Sequence, residues 1–253
     1  MIDISKAFGA VQALRRVSFV VHHGEVVGVV GDNAAGKSTL MKVLSGVYPP
    51  DLGRILIEGR DASFSGPHDA RDLGIEMIYQ DFALVPQLDV TENIFLGKEL
   101  TKSWLGLRRL HRSAMDARAE ELFRQLGLTV PSVRSKVREL SGGQQQAVAI
   151  ARATGFEAKL IIMDEPTANL GATAIEKVRQ SIRNLKAQGV AVVIVSHRLE
   201  DLFAVANRMV VLKHGRVVGE RSMVETNHDE ILEMIVAGAD RRASAGERTA
   251  PNA

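Results

Sequence analysis

At 253 residues the chain is long enough for one large domain or two small ones, and 45% hydrophobic residues with only 4% aromatics imply a core of Val, Ile, Leu and Ala. A net charge of +2, with Lys and Arg interspersed among Asp and Glu, carries no electrostatic footprint of nucleic-acid binding. The absence of cysteine excludes disulfides, thiolate metal sites and a cysteine nucleophile. No apolar run reaches the roughly 20 residues of a membrane-spanning helix, and Met1-Ile2-Asp3-Ile4-Ser5 lacks the pattern of a secretory signal, so a partner would have to supply any span.

Short β-branched runs alternate with amphipathic stretches, which predicts an α/β fold with a largely parallel sheet. Val26-Val27-Gly28-Val29-Val30 is apolar on both faces and reads as a buried strand. A Gly-rich turn and a helix from about Lys37 to Ser45 follow, stopped by Gly46. Arg54 to Ile57 and Glu76 to Tyr79 read as short strands. From Leu88 the pattern becomes helical, with Thr91 expected to cap a short helix and Ser113 to start a longer one that Gly127 ends. The strand pattern returns at Leu160-Ile161-Ile162-Met163, followed by a helix from about Thr173 to Gln188 and an apolar strand from Val190 to Val195. A strand pair, Met209 to Leu212 and Val217 to Gly219, precedes a helix from about Asp229 to Val236. Beyond Gly238 the sequence has almost nothing to bury, so the domain is expected to occupy 1–238 and residues 239–253 to form a disordered tail.

Gly31-Asp32-Asn33-Ala34-Ala35-Gly36-Lys37-Ser38 fits G-x-x-x-x-G-K-[ST] between an apolar strand and a helix. That context brings backbone N–H groups to the positive end of a helix, where phosphate oxygens bind. Lys37 would reach the β- and γ-phosphates, Ser38 would ligate Mg²⁺, and Thr39 would touch the α-phosphate side. By itself this motif indicates a P-loop nucleotide binder and leaves kinases, GTPases and motor ATPases open.

Leu140-Ser141-Gly142-Gly143-Gln144 precedes a second helical run, Gln146-Ala147-Val148-Ala149-Ile150-Ala151-Arg152. In isolation it suits a helix cap with a flexible lead-in as well as an anion site. Here it lies between the P-loop and Lys159-Leu160-Ile161-Ile162-Met163-Asp164-Glu165. With Gln80 and His197, these motifs occur in an order that resembles the ATP-binding cassette (ABC) ATPase family over about Ile4 to Ala237. The resemblance implies a P-loop α/β fold with a mostly parallel core sheet, a small antiparallel β subdomain and a helical subdomain inserted at about 88–155.

It also implies roles residue by residue. Two such domains sit head to tail with ATP between them, so Ser141, Gly142, Gly143 and Gln144 would complete the site whose P-loop belongs to a second copy, Ser141 and Gly143 touching the γ-phosphate. Asp164 would hold Mg²⁺ through water and Glu165 would act as general base on the attacking water. Adjacent acids at a strand end also suit an ordinary turn, but the following Pro166-Thr167 matches the family. Gln80 matches the glutamine that senses Mg²⁺ and the attacking water, with Asp81 to Leu88 near a permease contact. His197 matches the histidine that bonds the γ-phosphate and positions the catalytic carboxylate. Phe8 matches the aromatic that stacks on adenine, although a lone Phe is as easily a core residue. ATP and Mg²⁺ are the implied cofactors.

Two departures stand out. The family often has Gly at the place of Ala34, where a positive φ would cost about 1 kcal/mol. Gly171 stands where an Asp commonly crosses the dimer interface. Relatives usually have a longer stretch ahead of Ile4-Ser5-Lys6, so the first strand is expected to be shortened or missing.

Val85 to Gly97 and Glu165 to Gly171 are similar to the ribose, fructose and xylose branch, many of whose members carry two cassettes where this sequence has one P-loop. The implied function is ATP-driven import of a small solute, a sugar, through separate permease subunits, with a solute-binding protein as an indirect partner. The implied location is the cytoplasmic face of the membrane, with no nucleic-acid partner. The alternative is a soluble ABC ATPase outside transport, of the assembly-scaffold type.

Overall fold

The computed structural model describes residues 1–104 and 107–238. In chain order the elements are β1 (Ile2–Phe8), β2 (Val11–Val17), β3 (Val26–Val30), α1 (Lys37–Leu44), β4 (Leu52–Ile57), β5 (Arg60–Ala62), α2 (Pro67–Asp72) and β6 (Ile75–Ile78). Then come α3 (Val90–Phe95), β7 (Thr101–Trp104), β8 (Leu107–Leu110), α4 (Arg112–Leu126), a 3₁₀ turn (Val137–Glu139) and α5 (Gly142–Thr154). The chain continues with β9 (Leu160–Asp164), α6 (Ala172–Ala187), β10 (Ala191–Val195), α7 (Leu199–Val205), β11 (Arg208–Lys213), β12 (Arg216–Ser222) and α8 (His228–Ala237). The class is α/β as expected, with mixed, mostly parallel strands, a small antiparallel sheet and flanking helices.

Two compact units emerge. The first takes residues 1–21, 27–69 and the chain from 195 onward. It holds the antiparallel sheet β2-β1-β4-β5 and the run β12-β11-β3, in which β11 lies parallel to β3 and antiparallel to β12. β3 is buried along its whole length, as its two-sided apolar sequence requires. α7 packs Leu202 onto β3, close enough that a Cβ on Gly28 would stand 3.1 Å from Leu202 Cδ1.

The second unit takes 22–26 and 70–194, with strands in the order β10-β9-β6, β6 and β9 parallel, and helices α3 to α6. Its segment 85–93 is tied together by one buried side chain. Asn93, on α3, is fully buried; its Oδ1 accepts from the Val85 amide at 2.8 Å, and its Nδ2 donates to the carbonyls of Val85 (3.0 Å), Leu88 (3.3 Å) and Asp89 (2.9 Å). A loop that would otherwise leave polar backbone unpaired is thereby satisfied.

Four expectations need correction. Thr91 does not cap α3: Asp89 does, accepting from the Glu92 amide at 2.8 Å while Glu92 accepts from the Asp89 amide at 2.9 Å. Thr91 is buried inside the helix and donates to Val133 O. Ser113 does not open α4, which starts at Arg112 behind His111; Arg112 is placed there by ion pairs with Asp89 and Glu92. The first strand is present over seven residues, because buried Ile4 and Ser5 anchor β1 between β2 and β4. The segment 88–155, expected to be helical, also contains the hairpin β7–β8. The tail expected at 239–253 lies outside the described residues.

Replacing Asn93 with Ala strands several buried backbone groups, and the expected loss is about 2–4 kcal/mol of unfolding free energy. Urea titration checks this: the midpoint should fall with the slope unchanged, and a midpoint at the wild-type value would show that the loop does not depend on Asn93.

Candidate functional site

The phosphate loop lies in the first unit, and backbone contacts force its shape. Gly31 has φ 150° and Gly36 φ 105°, the latter a region that favours glycine. A Cβ on Gly31 would come within 2.1 Å of Leu212 O, and one on Gly36 within 2.7 Å of Ala13 O. Ala35 O accepts from the Gly215 amide at 3.0 Å, and the Ala35 amide donates to Asp32 O at 3.1 Å. The loop is thus seated against β2 and the β11–β12 turn. Lys37, the first residue of α1, folds its ammonium over the loop, 2.7 Å from Gly31 O and 2.9 Å from Asp32 O. Ala34 has φ 64°, so the conformation for which the family favours glycine is adopted here by alanine. Asp32, Asn33, Ala34 and Ser38 are exposed, and Thr39, the third residue of α1, is half-buried.

Phe8, at the end of β1, is 44% exposed and therefore not a core residue. Its ring meets Tyr48 edge-on, centroids 5.1 Å apart at 70°, and the Lys6 ammonium lies 5.7 Å from its centroid. His197 is exposed, just past β10, and belongs to the same unit as the phosphate loop.

Gln80, Asp164, Glu165 and residues 141–144 belong to the second unit. Asp164 is the last residue of β9, and Glu165 follows with φ 52°, a left-handed conformation that turns the chain sharply at the strand end. The turn is closed by the Ala168 amide on Glu165 O at 3.1 Å, with Thr167 buried beneath it. Gln80 is exposed in a turn directly after β6.

Ser141 is the N-cap residue of α5, and its amide donates to Gln144 Oε1 at 2.9 Å. Gln144 is therefore engaged in closing the helix start. Ser141 and Gly142 are exposed at that end, where a helix leaves first-turn amides without intrahelical partners. A Cβ on Gly143 would stand 2.8 Å from Ala174 Cβ, so the helix start packs tightly on the first turn of α6. Gly171 is the N-cap of α6, with open space around the position of a Cβ.

The carbonyls of Ala13 and Leu212, the Asn93 anchor and Arg152 were not singled out from sequence. The first two act through backbone, which carries no residue signature, and a buried Asn or a helical Arg has no local pattern to mark it.

The pattern of the ABC transporter family matches residues 14–168. The xylose/arabinose import ATP-binding protein XylG of Sulfolobus acidocaldarius is 44% identical over 246 residues, covering 97% of this chain and 96% of that protein. The ribose import ATP-binding protein RbsA of Hahella chejuensis is 43% identical over 92% of this chain, which spans only 46% of RbsA. Among solved structures, the dimeric structure of MJ0796, a bacterial ABC transporter cassette, aligns with a TM-score of 0.74 at 26% identity, over 88% of this chain and 97% of that one. The ADP conformation of MJ1267, an ATP-binding cassette of an ABC transporter, gives 0.76 at 27% identity, over 98% and 97%. With the glycine-locked phosphate loop, the signature at the head of α5 and the acidic end of β9 all inside or beside the matched span, the chain belongs to the ABC transporter family.

Proposed function

We propose that this chain is the ATP-binding and ATP-hydrolysing subunit that powers import of a small solute, a sugar, through a separate membrane permease. The observation that carries the reading is the 44% identity to a xylose/arabinose import ATP-binding protein along almost the full length of both chains. No helix among the described residues is long and apolar enough to cross a membrane. On this reading the subunit attaches to the cytoplasmic face through permease partners. A solute-binding protein would select the sugar upstream of the permease.

In this reading residues 31–39 cradle the ATP phosphates, with Lys37 leaving the Gly31 and Asp32 carbonyls to meet the β- and γ-phosphates. Phe8 offers its exposed ring to adenine. Ser38, Gln80 and Asp164 supply only oxygen donors, the kind that Mg²⁺ takes. Mg²⁺, when bound, neutralises phosphate charge. Glu165 accepts the proton of the attacking water, and His197 bonds the γ-phosphate and orients that carboxylate. Ser141, Gly142 and Gly143, exposed or half-exposed at the start of α5, close on the γ-phosphate held by a second copy arranged head to tail, while Gln144 shapes the turn they occupy.

Steady-state ATPase assays of the wild type beside Glu165→Gln and Lys37→Ala test this chemistry. Mg²⁺-dependent hydrolysis should fall by about 10²–10⁴ in kcat for Glu165→Gln, and Lys37→Ala should lose ATP binding along with activity. Turnover untouched by Glu165→Gln would remove Glu165 as the base.

ATP, and not ADP, should bring the Glu165→Gln variant to a dimer, because only the uncleaved γ-phosphate reaches both the loop and the signature. Size exclusion with light scattering reads this directly; the same mass with either nucleotide would count against the head-to-tail arrangement.

A further inference from the structure

The helix that the signature opens ends on an arginine with no part in the site described so far. Arg152 lies in the last turn of α5. Its Nη1 donates to Ala83 O at 2.6 Å and its Nη2 to Phe82 O at 2.8 Å. A planar guanidinium fork suits two adjacent oxygens in a way that a point charge does not. The two residues it holds are both in the left-handed region, Phe82 at φ 59° and Ala83 at φ 45°. Non-glycine residues persist there only where surrounding contacts over-determine them.

The Phe82 amide in turn donates to Tyr79 O at 3.0 Å, closing a turn whose two central residues are Gln80 and Asp81. Gln80 thus sits in a turn whose exit is tied to α5. Burial lowers the Arg152 pKa from its ordinary value, aided by Arg71 and opposed by Glu76 and Asp81, and the group remains a cation. From Gly142 to Arg152 the helix rises about 15 Å, ten residues at roughly 1.5 Å each.

We propose that Arg152 is a positioning residue for Gln80: by clamping Phe82 and Ala83 to the end of α5, it makes the Gln80 turn and the signature two ends of one rigid strut. The inference rests on the role proposed above for Gln80.

The test uses the full chain as Arg152→Ala, Arg152→Lys, Gln80→Ala and the Arg152→Ala/Gln80→Ala double variant. Two readouts are taken, hydrogen exchange over 79–83 and ATP hydrolysis titrated with ATP and with Mg²⁺. Arg152→Ala should speed exchange of the Phe82 amide about tenfold, with protection in the first turns of α5 unchanged. It should lower kcat about tenfold and raise the Mg²⁺ needed for half-maximal rate, with KM for ATP little changed because the phosphate loop is untouched. Arg152→Lys, which folds with the charge retained, should recover part of both effects. The double variant should be no slower than Gln80→Ala alone.

Unchanged exchange at 79–83 in Arg152→Ala overturns the clamp, and a double variant slowed by the product of the single effects shows that Arg152 does not act through Gln80. If Gln80→Ala itself keeps wild-type kcat and Mg²⁺ dependence, it is the role of Gln80 that fails, while the exchange measurement still decides whether the clamp exists.

Discussion

Two carbonyl groups, Leu212 O and Ala13 O, occupy the space where side chains on Gly31 and Gly36 would begin. The phosphate loop can follow its path into the start of α1 only because those two positions carry no Cβ. Leu212 lies on β11 and Ala13 on β2, so the loop inherits its position from two different sheets of the first unit. A methyl group at 2.1 Å from a backbone oxygen has no flexible neighbour to displace. The registers of β11 against β3 and of β1 against β2 are therefore constraints on the nucleotide site as much as on the fold.

Among the described residues, nine of the ten left-handed non-glycine residues fall into three groups; the tenth, Glu157, lies in the loop between α5 and β9. Glu58 and His214 each precede a glycine, also at positive φ, in the tight β4–β5 and β11–β12 turns, where the right-handed twist of the strands requires such a geometry. Asp3 and Arg16 lie where the β1–β2 and β1–β4 registers shift. Ala34, Phe82, Ala83, Glu165 and Asn169 have no hairpin to explain them, and each lies in or next to a segment assigned to nucleotide chemistry. At about 1–3 kcal/mol for such a residue, this conformation persists where neighbours enforce it: the Ala168 amide on Glu165 O, and the Arg152 fork on Phe82 and Ala83.

The sequence made the buried strands legible because β3, β9 and β10 are continuous apolar runs, and the helix ends legible where Gly46 and Gly127 stop them. The candidate site could be proposed from sequence because phosphate binding needs glycines and a lysine at fixed spacing, so that requirement is written in residue identity. What escaped depends on contacts distant in sequence. Thr91 and Asp89 are both good caps, and the choice between them is settled by Arg112, some twenty residues on, which pairs with Asp89 and Glu92. The hairpin β7–β8 pairs Thr-Lys-Ser-Trp with Leu-Arg-Arg-Leu, and neither run alternates apolar with polar. β1 carries only Ile4 and Ser5 as buried residues, too short a pattern to read as a strand.

The two halves of the proposed site differ in how ready they are for phosphate. Lys37 is already folded over its loop by the loop's own carbonyls, so most of its side-chain freedom is lost before any nucleotide arrives and little remains to be lost on binding. Phosphate oxygens, being charged, make stronger partners for an ammonium than neutral carbonyls do, and the exchange favours the nucleotide. The signature end of α5 is more sparsely equipped. The Ser141 amide is taken by Gln144 and its side chain shares in the same capping box, leaving the first-turn amides of exposed Gly142 and half-exposed Gly143 with no basic side chain among residues 141–146. Such an end is a weak anion site alone. On the proposed head-to-tail reading it gains strength when a second set of donors already holds the anion, and the group that would bridge two copies is the terminal phosphate of an intact triphosphate. A diphosphate satisfies the lysine half and leaves the signature half unpaired, so on the proposed reading the asymmetry between the two halves is what makes closure depend on ATP.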